Sequence, residues 1–99
     1  GYFVELKRKF RLTFNPSILR NYVSQIHSNK IESVVGMSLN QKGELTEVTI
    51  IRGSGINAYD LEGVRTIKQS APFTAPPSNL LDKDGFLRIA WVFSVSITP

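Results

Sequence analysis

The chain has 99 residues, too few to build two separate hydrophobic cores, so one compact body is expected. Its 41% hydrophobic and 20% charged residues fit an ordinary folded domain and exclude a disordered one. Cysteine is absent, which removes disulfides, thiolate zinc sites and cysteine nucleophiles together. The net charge of +4 is local: residues 1–20 hold Lys7, Arg8, Lys9, Arg11 and Arg20 against Glu5, while the rest carries seven basic and seven acidic side chains. A nucleic-acid footprint would normally spread over a face of the body, so a basic arm points away from that class of partner. Apolar runs fall far short of the roughly 20 residues a membrane-spanning helix needs. The chain opens on Gly1-Tyr2 with no secretory leader, and is therefore expected to be a piece of a longer protein.

Residues 2–14 alternate, with Tyr2, Val4, Leu6, Phe10, Leu12 and Phe14 on one side and Glu5, Lys7, Lys9, Arg11 and Thr13 on the other. A period of two with aromatic content predicts a half-buried strand, and its basic outer side suits a sheet edge. We take 1–14 as a basic N-terminal strand or arm, and 15–99 as the body. Asn15-Pro16 then supplies a helix cap and a first helical residue that needs no N–H partner. Ile18, Leu19, Tyr22, Val23 and Ile26 follow at helical spacing, and Ser28-Asn29 ends that helix.

Ile31 to Leu39 predicts a strand with Ile31, Val35, Met37 and Leu39 on one face and Ser33 as the polar exception. Asn40-Gln41-Lys42-Gly43 makes a hairpin turn, and Leu45 to Arg52 returns as the second strand. Gly53-Ser54-Gly55 breaks it. Asn57 is the expected cap of another helix, with Asp60 placed to reach back to it and Leu61, Val64, Ile67 and Ala71 as the buried stripe. Pro72 and Pro76-Pro77 end the helix, with Phe73 as an anchor for the exit loop. Asp84-Gly85 is a turn pair. From Leu87 onward Leu87, Ile89, Trp91, Phe93, Val95 and Ile97 face one way, and Arg88, Ala90, Val92, Ser94 and Ser96 the other. So long a terminal strand in a small domain predicts either an overhang or an external partner. The fold class that follows is α+β: a small antiparallel sheet of three core strands, with an extra N-terminal strand, and two helices on one face.

No catalytic constellation emerges. His27 is the only histidine, and it has neither a nucleophile nor an acid at triad spacing. Asp82-Lys83-Asp84-Gly85 resembles the start of a calcium loop but lacks the later ligands, above all the closing bidentate glutamate. Gly53-Ser54-Gly55 matches neither the dinucleotide fingerprint nor the phosphate loop. Phe3, Phe10 and Phe14 interleaved with basic residues could stack on single-stranded nucleic acid, yet they alternate faces as on any edge strand. Neither a cofactor nor a metal is expected, and the chain does not read as an enzyme.

Residues 34–77 carry a more specific pattern. Val34 to Gly55 runs strand, Lys42-Gly43-Glu44 hairpin, Val48-Thr49-Ile50 strand and Ser54-Gly55 break. Leu61 to Val64 and the exit Ala71-Pro72-Phe73 with Pro76-Pro77 follow. This ordered set resembles the TonB C-terminal family, with the TolA C-terminal domain as a structural relative, over roughly residues 17–97. Ile31-Glu32-Ser33 stands where the family often has a glycine, and Asp60 precedes Leu61 instead of following it, which leaves the subfamily open.

The resemblance implies a mechanical role in the periplasm, as the outward end of an inner-membrane-anchored protein. Inner-membrane proton-channel proteins would act through a part of the protein upstream of this chain. The partner would be an outer-membrane TonB-dependent transporter, whose short N-terminal peptide, the TonB box, pairs with the last strand of the domain. The residues expected to take that peptide are Phe86, Leu87, Arg88, Ile89, Ala90, Trp91, Val92, Phe93, Ser94 and Val95. Trp91 shares the apolar face, so core packing is its expected role. A TolA-like envelope adaptor, or a self-associating structural module whose terminal strands pair as a homodimer, is the second reading, and nucleic-acid binding through the basic arm the third.

Overall fold

The computed structural model describes residues 1–97. In chain order it contains α1 (Tyr2–Thr13), a 3₁₀ segment (Pro16–Gln25), β1 (Lys30–Leu39), β2 (Leu45–Arg52), α2 (Asn57–Ser70), a 3₁₀ turn (Ser78–Leu80) and β3 (Leu87–Ser96). The sheet has the order β2-β1-β3 with every pairing antiparallel, and the helices cover one of its faces. The α+β class read from the sequence therefore holds.

The N-terminal segment corrects that reading: residues 2–13 are helix, not strand, and Phe14 caps it with an extended backbone. Tyr2, Leu6, Phe10 and Phe14 all fall on alternate positions, but they also repeat every four residues, which is one stripe of a helix. Leu6 and Phe10 are each 2% exposed, whereas Val4 and Leu12, which a strand would turn the same way, are 69% and 84% exposed. Polar side chains bind the helix to the α2 exit: Lys9 Nζ donates to the carbonyls of Ser70 and Pro72 at 3.0 and 3.2 Å, and the Tyr2 hydroxyl donates to the Thr74 carbonyl at 2.8 Å.

The next segment starts as expected, with Asn15 Oδ1 accepting from the Ser17 amide at 3.1 Å and Pro16 in the first turn. It winds as 3₁₀ helix and kinks at Tyr22, so only Leu19 of its apolar residues is buried and Val23 is exposed.

The β1–β2 hairpin is held by Asn40, whose Oδ1 accepts from the Lys42 and Glu44 amides, both at 2.9 Å. Gly43 takes φ of 85°, and a Cβ there would collide with the Phe73 carbonyl oxygen. The Gly43 carbonyl in turn accepts from the Phe73 amide at 3.0 Å. The hairpin tip is thereby joined to the loop that leaves α2, and the Phe73 ring is buried as an anchor.

α2 begins differently from expectation. Ile56 holds the cap position with no side-chain cap bond, while Asp60 accepts from the Ser54 amide at 2.9 Å. Its inward face is Tyr59, Asp60, Gly63, Thr66, Ile67 and Ser70. Leu61 is 51% exposed, so the expected Leu61–Val64–Ile67–Ala71 stripe is rotated. The pivot is Gly63, where a Cβ would lie 3.0 Å from the Phe93 ring. The bare glycine brings α2 down onto the sheet and turns Tyr59 inward.

β3 pairs with β1 residue for residue, from Lys30↔Ser96 to Leu39↔Leu87. The expected overhang is absent among the described residues because β1 is equally long. Ile97 extends the contact by donating to the Asn29 carbonyl at 2.7 Å, and residues 98 and 99 lie outside the described part.

A helical α1 separates two substitutions that a strand would treat alike. Phe10→Ala is expected to cost about 3–5 kcal/mol, as for a fully packed core phenylalanine, and Leu12→Ser to stay within about 0.5 kcal/mol. Urea unfolding of both variants checks this, and similar losses in the two would restore the strand. Tyr59 sets a second expectation. Burial, with added repulsion from Asp60 and Glu32, pushes its phenol pKa well above the ordinary value. A raised folded pKa stabilises fully below the unfolded value of about 10 and is lost as pH climbs from there toward the folded one. The Tyr59 hydroxyl has no hydrogen-bond partner among the described residues, so Tyr59→Phe should change stability by no more than about 1 kcal/mol at neutral pH. It should also flatten the decline above about pH 10, read from urea midpoints across that range.

Candidate functional site

β3 has a strand neighbour on one side only, so half of its backbone N–H and C=O groups point out of the sheet. β2 is the other edge, and the two edges differ. The β1–β2 pairing shifts register between Val34 and Val35 and again between Ser38 and Leu39. The first shift places Ile51 against the open sheet face above Gly36, where it would meet a Cβ at 2.9 Å. Such bulges twist an edge and spoil it as a template. The β1–β3 ladder runs through ten residue pairs without a break, leaving on its far side an uninterrupted row of groups at regular strand spacing.

β3's side chains sort by parity. Leu87 and Phe93 are buried and Ile89, Trp91 and Val95 half-buried beneath the helices, while Arg88, Ala90, Val92 and Ser94 face outward. Phe86 lies just before the strand, its ring 5.5 Å from the Arg88 guanidinium. Trp91 packs inward, its ring edge-on to Phe10 with centroids 5.0 Å apart, which agrees with the core role expected for it. The structure brings nine of the ten expected residues, Leu87 to Val95, onto one strand, with Phe86 immediately before it.

Residues that the strand reading of 2–14 could not place complete the site. Phe10 meets Trp91 and, at 6.0 Å, Phe93, and Phe14 stacks on Phe93 at 4.9 Å. Phe10 is backed by Phe73 at 6.0 Å and Phe14 by Tyr59 at 5.6 Å, both edge-on. This aromatic rack fixes α1 alongside β3. Between them opens a groove of about 450 Å³ lined by Lys7, Phe10, Arg11 and Phe14 on the helix and by Trp91, Val92, Phe93 and Ser94 on the strand. The four-residue spacing of Tyr2, Leu6, Phe10 and Phe14 was the signal that could have revealed this wall.

Other candidates dissolve in the geometry. Asp82 and Asp84 both bind Arg88, at 2.9 and 2.6 Å, so a guanidinium already occupies the space between those carboxylates. It holds the Asp84 carboxyl below its usual range. Among the described residues no three His, Cys, Asp or Glu side chains are grouped to hold a metal, and no helix is long and apolar enough to cross a membrane. His27 is exposed and stands in a shallow apolar cleft with Leu19, Val23, Ile26 and Ile97. The four basic residues of α1 divide, with Lys9 turned to the α2 exit, Lys7 and Arg11 to the β3 groove, and Arg8 exposed outside that groove.

None of the curated proteins matches this chain. The solution structure of residues 179–285 of Helicobacter pylori TonB, its C-terminal domain, is similar with a TM-score of 0.70 at 13% identity, over 99% of this chain and 82% of that one. At that identity the likeness speaks for the fold. The family model described as TonB C terminal matches residues 2–89, which takes in α1, the hairpin, α2 and the first part of β3, and the chain belongs to the TonB C-terminal family.

Proposed function

We propose that this domain receives an extended peptide from an outer-membrane transporter along the open edge of β3, and passes to it a pull driven by the proton-motive force. The carrying observation is the unbroken ten-pair ladder that leaves β3 without a bulge, paired on one side and open on the other. Strand addition needs that: consecutive main-chain donors and acceptors in one row, with alternate side chains of the guest falling to either face. In this reading Phe86 to Val95 form the docking strip and the groove beside α1 takes the guest's inward side chains. Family membership supports a periplasmic setting, with the inner-membrane proton-channel partners reached through another part of the protein.

The test uses the N–H direction of alternate residues. Ile89 and Val92 differ by an odd number of positions, so one N–H points toward β1 and the other out of the sheet. Proline at the first should unfold the domain by removing a ladder bond, and proline at the second should leave a folded domain that no longer docks. Isotope-edited spectra with a transporter N-terminal peptide are expected to show shifts at Leu87–Ser96 in the unaltered protein and none in the folded proline variant. Unchanged affinity in that variant would remove the edge as the docking site. Concentration-dependent pairing of β3 with no peptide response would favour self-association instead.

A further inference from the structure

Resting on the strand-addition reading, we infer that the peptide taken up by β3 is acidic, carrying two carboxylates at alternate positions that meet Lys7 and Arg11. The groove beside β3 is apolar at its floor, with Phe10, Phe14, Trp91 and Phe93, and cationic at its lip, with Lys7 and Arg11. Both cations are exposed, and among the described residues neither is in an ion pair. The acidic side chain nearest in sequence, Glu5, is engaged elsewhere, accepting from the Thr74 hydroxyl at 2.8 Å. Lys9, the remaining lysine of α1, is also committed, with its ammonium bonded to two carbonyls and 5.1 Å from the centre of the Phe73 ring. Arg8 is exposed as well but does not line the groove, so of the four cations of α1 it is Lys7 and Arg11, both unmatched, that overlook the edge.

The spacing is compatible with a strand. Lys7 and Arg11 are one helical repeat apart, a rise of about 6 Å, and same-face residues of a strand recur every 6.5–7 Å or so. α1 also runs in the direction of β3, since the ring contacts step from Trp91 at Phe10 to Phe93 at Phe14. A guest strand beside β3 would therefore pass under both cations in turn, with residues i and i+2 of its helix-side face within reach of each. A basic guest would place like charges there instead, and the same lip discriminates against it.

Three capped nine-residue peptides of alternating valine and serine serve as probes. Two successive serines are replaced by glutamate in one, by glutamine in the second and by lysine in the third. Amide shifts of the intact 99-residue chain give both the site and the affinity. The glutamate peptide is expected to move β3 amides and to bind roughly three- to tenfold more tightly than the glutamine peptide at low salt, the scale of two solvent-facing ion pairs. The advantage should vanish at about 0.5 M salt and in the Lys7→Gln/Arg11→Gln double variant, whose unfolding midpoint should match the parent. Equal affinity of all three peptides, with β3 shifts intact, would overturn the acidic preference while leaving strand addition standing. Shifts confined to α1 would overturn the preference as a property of the docked strand. Failure of every peptide to move β3 would remove strand addition and this inference with it.

Discussion

The stacking of α1 on β3 is the contact from which the rest of the architecture follows. An edge strand has ladder bonds on one side only, so β3 depends on packing to stay in place. Phe10 and Phe14 supply it against Trp91 and Phe93, the buried Phe10 and Phe93 contributing roughly 1.5–3 kcal/mol each, the half-buried Phe14 and Trp91 less, and the pairs somewhat more through ring geometry. α2 completes the support at Gly63, close enough to touch the Phe93 ring. The helices cover the apolar face of β3, and a groove stays open between α1 and the strand's outer edge. A domain that must be stable and also keep one backbone row available satisfies both demands this way.

Open edges are hazardous because they pair with any other edge. The two edges here answer that hazard differently. β2 is spoiled by two register shifts, and the bulged Ile51 lies across Gly36 on the bare face. β3 is left regular, but it is overlooked by Lys7 and Arg11. Two copies meeting edge to edge with their helices on the same face would bring four cations to one junction. Like charges held close raise the free energy of that encounter. The N-terminal concentration of positive charge, which looked like one basic arm in the linear sequence, is divided in space: Lys7 and Arg11 overlook the β3 groove, Lys9 is bonded at the α2 exit, and Arg20 lies by the cleft of His27.

Much of the sheet was legible because strand periodicity and turn chemistry point the same way. Asn40 to Gly43, the alternation from Leu87 to Ile97 and the polar exception at Ser33 all took their expected places, and Ser33 is fully buried. α1 was misread because four of its apolar residues satisfy periods of two and four at once. Only Val4, Arg8 and Leu12 tell the periods apart, and on a short amphipathic segment three residues do not outweigh the rest. In α2 the error has another cause. Counting apolar side chains cannot register Gly63, whose role is to have none, so Leu61 was chosen for a face that Tyr59 and Gly63 occupy. The candidate site was therefore half visible: its strand was readable, and its helical wall was hidden by the same ambiguity.

The energetics of such an edge suit a coupling that must be made and released. A guest strand forming five or six main-chain bonds would gain about 0.5–1.5 kcal/mol from each, a sum comparable with the roughly 4–15 kcal/mol lost on association. The net affinity then depends on what is already arranged before the guest arrives. β3 is held in place by its rings and its ladder, so little ordering is left on the domain's side, and the groove floor is apolar and walled. Cations at the lip act at longer range than packing does, which raises the rate of encounter more than the lifetime of the complex. Fast capture by charge with modest holding by backbone bonds produces a contact that forms readily and yields readily, whereas a deep side-chain pocket would lengthen the lifetime and leave the domain tied to one partner.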